Sequence, residues 1–557
     1  MNNSISHLCF FQSLPLIILK LDATQTHRVY YCCCIIVLTL HFPPPLRLTQ
    51  RMSAADADMV AQLSLLEIAN LLLAKLLSYV PSLPSHGPIF ELLHHAFYEA
   101  PAYHLILEGL LVLSILWLVV RKSDKSKDKG PKLTAKEVEE IIAEWQPEPL
   151  VPVSGPEPVV VPVVQGPAAA FVQIDGQKKI NLASFNFLNF VGNKKVEDAA
   201  VTSLKKYGVG SCGPRGFYGT IDVHLELESK LAKFTQTEEA VLYSYAFSTV
   251  ASVIPAYSKR GDILFVDEAI SFPLAQGVLA SRSTVKYFKH NDMADLERLL
   301  IEQQREDAKL AKKAKLSRRF VVVEGLYANT AEIAPLKRLV ELKWQYKVRI
   351  MLDETFSFGV LGDHGRGITE HFGISPEDID IMTSSLEHAV GSIGGFSYGK
   401  TFVMDHQRLS SQGYCFSASL PPLLASAALC ALEAMEKSPD MFTTLRSRSK
   451  AIHAKLSTAL GRHLVVSGDA SAPMKFLTVK QTKGRAADEA LLDLIVSKAN
   501  DKNVVLTRAR YIEDYERVQR PPAIRIALNI GHSEGEVENA IRDIAAAADE
   551  AAKAHSS

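Results

Sequence analysis

The sequence predicts an α/β protein with a parallel-sheet body over residues 171–440 and a smaller α+β unit over 441–557. One apolar helix and a proline-rich tether precede them. Three observations carry this. Short apolar runs alternate with amphipathic stretches from about residue 171, the pattern of strands crossing over through helices. An apolar run ends at a basic cluster just after residue 120. Seven prolines lie between residues 147 and 167, which blocks regular helix and favours extended backbone.

Composition narrows the class. The 557 residues allow two or more domains. Sixty-one basic residues balance 61 acidic ones, and zero net charge argues against a chain built mainly to bind nucleic acid. Apolar residues at 47% and charged residues at 22% exclude a mostly disordered chain and a polytopic membrane protein. Of seven cysteines, Cys9, Cys32, Cys33 and Cys34 lie near the N-terminus. Cys212, Cys415 and Cys430 have no metal-ligand spacing, so no metal site and a reducing compartment are expected.

Residues 1–51 read unlike the rest, with broken apolar runs, a Cys triplet and Pro43-Pro44-Pro45. The expectation is that translation begins at Met52; a targeting peptide is the alternative. In the segment 52–102, residues 57–80 show leucines at helical spacing and read as an amphipathic helix on a membrane or a partner. Residues 103–120 predict a transmembrane helix. From Leu110 to Val120 only Ser114 is polar, and 18 residues of helix cover about 27 Å against a hydrocarbon core of ~30 Å. Arg121, Lys122, Lys125, Lys127 and Lys129 follow, while 81–102 hold no Lys or Arg. The positive-inside rule therefore puts the C-terminal part in the cytosol and the N-terminus in the lumen. The tether covers 121–170, with a short helix Ala135–Trp145 opened by Thr134 and Glu137 as a capping box.

In the body, strands are expected at Ala240–Tyr243, Asp262–Val266, Val285–Phe288, Phe320–Glu324, Val348–Leu352 and Ile379–Thr383. Helices fit Val196–Lys206, Met293–Glu306, Leu336–Tyr346 and Pro422 to Glu436. The basic run Lys309–Arg319 reads as a solvated helix end, with phosphate or lipid-headgroup binding as the alternative.

Two stretches carry chemistry. Gly208-Val-Gly-Ser-Cys-Gly213 matches GxGxxG, but a helix precedes it and Pro214-Arg215-Gly216 follows, so it is not a dinucleotide fingerprint. It remains a glycine-rich loop running to Gly219-Thr220, with a helix starting near Asp222. The second stretch runs from a buried strand into Asp353-Glu354 and on to Ser357 and Gly359. An acid there stands at the C-terminal end of a parallel sheet, where ligands bind and where a carboxylate can hold a cationic ring nitrogen, as pyridoxal phosphate (PLP) requires. Capping of the next element is the other reading.

With Phe416-Ser-Ala-Ser-Leu-Pro-Pro422, these loops closely resemble the α-oxoamine synthases over residues 180–435. These PLP enzymes join an amino acid to an acyl-CoA with loss of carbon dioxide. The resemblance implies the aspartate-aminotransferase-like fold, PLP fold type I. The loop GVGSCGPRGFYGT and the tether segment Glu144-Trp-Gln-Pro-Glu-Pro-Leu150 are similar to the first long-chain-base subunits of serine palmitoyltransferases.

The departures from the pattern matter most. Active members place a Schiff-base lysine before a Gly-Gly pair; counting back from Gly394-Gly395, His388 stands there, and no lysine occurs between Lys347 and Lys400. Ser271 and Phe356 occupy two positions where the family carries histidine. The resemblance therefore implies a chain with no catalytic residue of its own, paired with a lysine-bearing second subunit that holds PLP. Cys212, Gly213, Arg215, Tyr218, Ser357, Tyr414, Ser417 and Ser419 are the expected contributors to the shared cleft, with Ser417 and Ser419 near the cofactor phosphate. Asp353 is expected to be vestigial, and Arg525 resembles a substrate-carboxylate arginine or is a surface strand residue. The implied substrates are L-serine and palmitoyl-CoA and the implied product 3-ketosphinganine, at the endoplasmic reticulum membrane, with small regulatory membrane subunits. A pure scaffold and a self-sufficient homodimeric synthase are the alternatives.

Overall fold

The computed structural model describes residues 102–120, 133–147, 150, 162–310, 316–512 and 515–556. The expectations for 1–51, for the amphipathic segment up to 101 and for the basic cluster after 120 lie outside the described residues. The chain divides into two units, Met1–Ser154 and Gly155–Ser557.

The first unit contributes two described helices. Ala102–Val120 exposes Ile106, Leu107 and the run Leu110–Leu118. Its Ser114 hydroxyl donates to the Leu110 carbonyl at 2.7 Å, which satisfies the single polar side chain of that run within the helix. Among the described residues, no helix is long and apolar enough to cross a membrane. The second helix is Ala135–Glu144, with Trp145 as its C-cap. The Thr134 hydroxyl accepts from the Glu137 N–H, and the Glu137 carboxylate accepts from the Thr134 N–H at 2.7 Å, so the capping box closes both ways.

The second unit starts with strands β1 (Val164–Gln165), β2 (Phe171–Ile174) and β3 (Gln177–Asn181). The main sheet follows with β4 (Glu239–Tyr243), β5 (Ile263–Asp267), β6 (Thr284–Phe288), β7 (Arg319–Glu324), β8 (Arg349–Asp353), β9 (Ile381–Ser385) and β10 (Gly395–Gly399). The C-terminal part adds β11 (Leu464–Ser467), β12 (Met474–Val479), β13 (Val504–Val505), β14 (Thr507–Arg508) and β15 (Ala523–Ala527). The main sheet runs β4-β10-β9-β8-β7-β5-β6, and β10 is antiparallel to both its neighbours. The other contacts in it are parallel, as buried βαβ strands require. A sheet of β11-β12-β15-β14 lies in the C-terminal part, while β13 pairs with β3, so the start of this unit joins the C-terminal core. That core holds Leu456, Leu492, Ile495 and Ile544 together with Ile180 and Leu182.

The six expected strands are present, each displaced by one or two residues. Strand β10 was not expected, because Gly-Phe-Ser-Tyr-Gly reads as a turn. It is buried throughout because neighbours approach its backbone closely: a Cβ on Gly395 would overlap the Thr249 hydroxyl and lie 3.0 Å from Ala246 Cα. Phe396 packs edge-on to Phe358 at 5.2 Å. Acids close three neighbouring strands, Asp267 on β5, Glu324 on β7 and Asp353 on β8, and define one edge of the sheet. Gly395→Val is expected to lower stability by about 1–3 kcal/mol through overpacking, read from the midpoint of urea unfolding.

Candidate active site

The glycine-rich loop leaves the helix Lys194–Tyr207 at Gly208, whose φ of +79° suits a residue without a side chain. A tight turn follows at Arg215–Gly219, with Tyr218 at φ +64°. Gly219 allows this closure, because a Cβ there would overlap the Gly213 carbonyl. The helix Asp222–Thr235 then begins.

One ion pair locks the loop. Arg215 and Glu228 are buried and meet in two parallel bonds of 2.8 and 2.9 Å. The Arg215 Nε–H donates to Thr220 at 3.0 Å, and Glu228 also accepts the Leu242 N–H of β4 at 2.8 Å. Buried His224 accepts the Ile221 N–H at Nδ1, so its Nε2–H donates to the Leu420 carbonyl at 2.6 Å. Burial lowers the pKa of this imidazole, in keeping with a neutral ring. The segment 416–420 is tied to the loop by the Pro214–Ala418 bridge and by the Ser419 N–H, which donates to the Gly213 carbonyl at 2.9 Å.

The expected contributors separate into two groups. Cys212 and Tyr218 are exposed, both at φ +64°, and Phe217 and Phe416 flank them on the surface. Ser417 is part-exposed, and its hydroxyl donates weakly to Ala418 at 3.3 Å. Tyr414 is half-buried, 5.4 Å from the Arg215 guanidinium and edge-on to Tyr243 at 6.2 Å. Ser419, by contrast, is buried, and its hydroxyl is directed at the carbonyls of Gly213 and Gly219. It holds the loop. Ser357, expected to contribute to the shared cleft, is also buried and donates its hydroxyl to Glu354. Arg215 acts from inside the loop and not from its surface. Glu228 and His224 were missed as site-builders; His224 stands in the first turn of the helix after the loop, and Glu228 lies mid-helix with no local signal.

The second region lies at the acidic strand ends. Asp353 Oδ1 accepts from the hydroxyls of Thr383 at 2.7 Å and Thr355 at 2.9 Å. Burial pushes its pKa up to about 6, against those bonds. Glu354 accepts from the Ile368 N–H at 2.9 Å and is pushed up to about 7, again by burial. Glu324 takes the Ser271 N–H at 2.5 Å and is pushed up to about 7 by burial and the nearby Asp353 charge. His388 stacks on Phe356 with ring centroids 4.4 Å apart, and Phe185 meets both rings edge-on at 4.9 and 5.0 Å. Burial, aided by the Arg525 charge, depresses the His388 pKa to about 3, so the ring is neutral. Arg525 lies over Phe185 at 4.2 Å, largely buried, with an unpartnered Nε–H.

These residues do not fit PLP as a covalently held cofactor of this chain. A covalent link to PLP takes a primary amine, whereas the His388 side chain is an imidazole packed against two aromatic rings, and one oxygen of Asp353 is engaged by two threonines.

The family model for aminotransferase class I and II matches residues 177–544. The long chain base biosynthesis protein 1b of Oryza sativa subsp. japonica is 44% identical over 436 residues, 78% of this chain and 89% of that protein. Serine palmitoyltransferase 1 of Dictyostelium discoideum is 42% identical, over 79% of this chain and 93% of its own length. The chain belongs to the α-oxoamine synthases of the serine palmitoyltransferase and long-chain-base-biosynthesis type. A solved structure of SPT with a PLP internal aldimine superposes with a TM-score of 0.62 at 22% identity, over 70% of this chain and 93% of that one. That likeness confirms the PLP fold type I body with its small C-terminal domain. Members of this family are PLP-dependent transferases of sphingolipid metabolism.

The two glutamates set a pH dependence. Their folded values near 7 lie above the ordinary 4.5, so the native state keeps protons that the unfolded chain has released. Their stabilisation is complete below about pH 4.5 and is lost as pH rises through about 7. His388 acts only in acid, where the unfolded imidazole takes a proton that the native one refuses. Stability is therefore expected to fall as pH rises from about 4.5 to about 7, by on the order of 1 kcal/mol per pH unit for each glutamate, and to level off above that, in urea unfolding. Glu354→Gln is expected to flatten that slope by about half.

Proposed function

We propose that this chain is the lysine-free subunit of a serine palmitoyltransferase and completes the active-site cleft of a lysine-bearing partner that holds PLP. The complex condenses L-serine with palmitoyl-CoA to 3-ketosphinganine, releasing CoA and carbon dioxide. The observation that carries this reading is His388, a buried neutral imidazole packed between Phe356 and Phe185 at the position of the family's lysine. The relatives named for long-chain-base biosynthesis support the reaction class.

This chain's part is to shape the cleft. Cys212 and Tyr218 stand on a rim that is rigid because Arg215 and Glu228 are paired beneath it. Ser417, part-exposed beside them, offers a hydroxyl toward a phosphate oxyanion on the neighbour. Exposed Phe217 and Phe416 exclude water where the subunits meet. The proposal includes a single-pass anchor over 103–120 in the endoplasmic reticulum membrane, with the body in the cytosol and small regulatory membrane subunits attached. The exposed leucines of the helix Ala102–Val120 and the lysines after it support that placement. An anchor suits the chemistry, because the acyl donor and the product both partition into membrane.

A pure scaffold is the second reading, and the inward-turned hydroxyls of Ser357 and Ser419 favour it. Cys212→Trp and Ser417→Ala separate the two readings when assayed in the assembled complex. The cleft reading expects condensation to fall ~tenfold or more, or amino-acid selectivity to change, with assembly intact. Unchanged activity and products in both variants would leave the scaffold. Borohydride treatment of the isolated chain is expected to trap no cofactor; trapping accompanied by turnover would overturn the proposal.

A further inference from the structure

The helix Ala135–Glu144 buries no residue among those described. Val138, Ile141, Ile142 and the C-cap Trp145 are all exposed, the last three by more than half. They fall at i, i+3, i+4 and i+7, which gathers them on one stripe about 100° wide. The rest of the helix carries Glu137, Glu139, Glu140 and Glu144 against one basic residue, Lys136.

Two properties say what covers the stripe. The first is length. A helix of 10 residues is marginal alone in water, where ~12–15 are needed, so packing on the apolar face must hold it. The capping box already fixes its start, and the face is presented with little further ordering. The second is charge. Lys136 is paired with Glu140 at 3.7 Å, and Glu137 is turned back to Thr134. Glu139 and Glu144 have no cationic partner among the described residues. Helices that lie on membranes carry Lys and Arg on their polar side, whereas this one carries acids that anionic headgroups repel. The basic residues Arg121 to Lys129 are the stretch suited to headgroups. A second copy of the same helix is repelled in the same way. Cover of the right chemistry is a protein groove with an apolar floor and a basic rim.

We propose that the helix Ala135–Glu144 docks in an apolar groove, rimmed by lysine or arginine, on a different protein chain of the complex. Val138, Ile141, Ile142 and Trp145 are the anchors, in the spacing by which amphipathic helices enter grooves. Glu139 and Glu144 meet the rim, where charge sets orientation and partner choice. Trp145 is the dominant anchor, as large aromatic side chains are at interface centres. This rests on the reading of the chain as one subunit of a complex, and it is separate from the rim around Cys212.

The test puts the photoreactive residue benzoylphenylalanine in place of Ile142, or in place of Glu140 on the opposite side, in the full-length chain within the purified complex. Irradiation at 142 is expected to join this chain to a different protein chain, in a segment that mass spectrometry shows to be apolar and flanked by Lys or Arg. Its yield is expected to exceed that at 140 by ~fivefold or more, and Ile141→Ala with Trp145→Ala to lower it ~tenfold. Glu139→Lys with Glu144→Lys is expected to lower it ~threefold, with the largest effect at low salt. The helix contributes nothing to the hydrophobic cores, so these variants leave the body folded. Condensation by the unaltered complex is assayed alongside: its absence fails the reading of the function, whereas the crosslinked molecule decides the docking. A crosslink to lipid, to residues 155–557 of the same chain or to a second copy, equal yields at 140 and 142, no crosslink, or a yield indifferent to the substitutions would overturn the proposal.

Discussion

The exposed rim depends on the buried pairing of Arg215 with Glu228. Taking two charges out of water is costly, and their attraction offsets that cost only when the remaining donors and acceptors are met. Here they are met: Arg215 also reaches Thr220, and Glu228 also takes the Leu242 N–H of β4. A loop, a helix and a strand of the main sheet therefore converge on one bidentate contact. Cys212 and Tyr218 sit directly on that foundation in left-handed backbone, which non-glycine residues rarely adopt unless their surroundings hold them there. The contacts that brace the rim here all come from this chain.

Much of the architecture was legible in the sequence because its strands are apolar runs with clear boundaries. Val321-Val322-Val323 and Ile350-Met351-Leu352 each end in an acid, and the structure puts both acids on one sheet edge. Strand β10 was illegible for a different reason. Its burial comes from Thr249 and Ala246 pressing on Gly395, and contacts so distant in the chain leave no local pattern. The site followed the same division. His388 was picked out by counting back from Gly394-Gly395, a purely local reading. The separate fates of Ser417 and Ser419 could not, because residues two apart in extended chain share a face. The bridge between Pro214 and Ala418 turns Ser419 into the loop and leaves Ser417 outside. Arg215 and Glu228 are 13 residues apart and become neighbours only once the turn at Gly219 has closed.

The altered pocket is coherent in its own terms. A stacked pair with a third ring edge-on is a favoured aromatic arrangement, worth about 0.5–1.5 kcal/mol per contact beyond area burial. His388 joins that cluster at no charge cost, since burial and Arg525 keep it neutral. The acids nearby follow the same logic. Among the described residues, Asp353, Glu354 and Glu324 have hydroxyl and backbone donors but no cationic side chain paired with them, so burial dominates and raises all three. Hydrogen bonds hold the region together, and burial makes its carboxyls keep their protons to higher pH than in water.

Neutrality and aromatic packing are poor properties for a nucleophile and good ones for a support. A catalytic amine needs access and a tuned charge, whereas the ring of His388 is locked against Phe356, and its backbone carbonyl accepts the Phe187 N–H at 3.1 Å. On the other loop, Cys212 and Tyr218 are exposed and Ser417 part-exposed above the paired Arg215 and Glu228. Packing thus claims the interior around His388 while the loop keeps polar side chains at the surface, and the proposed division of labour between two subunits rests on that contrast.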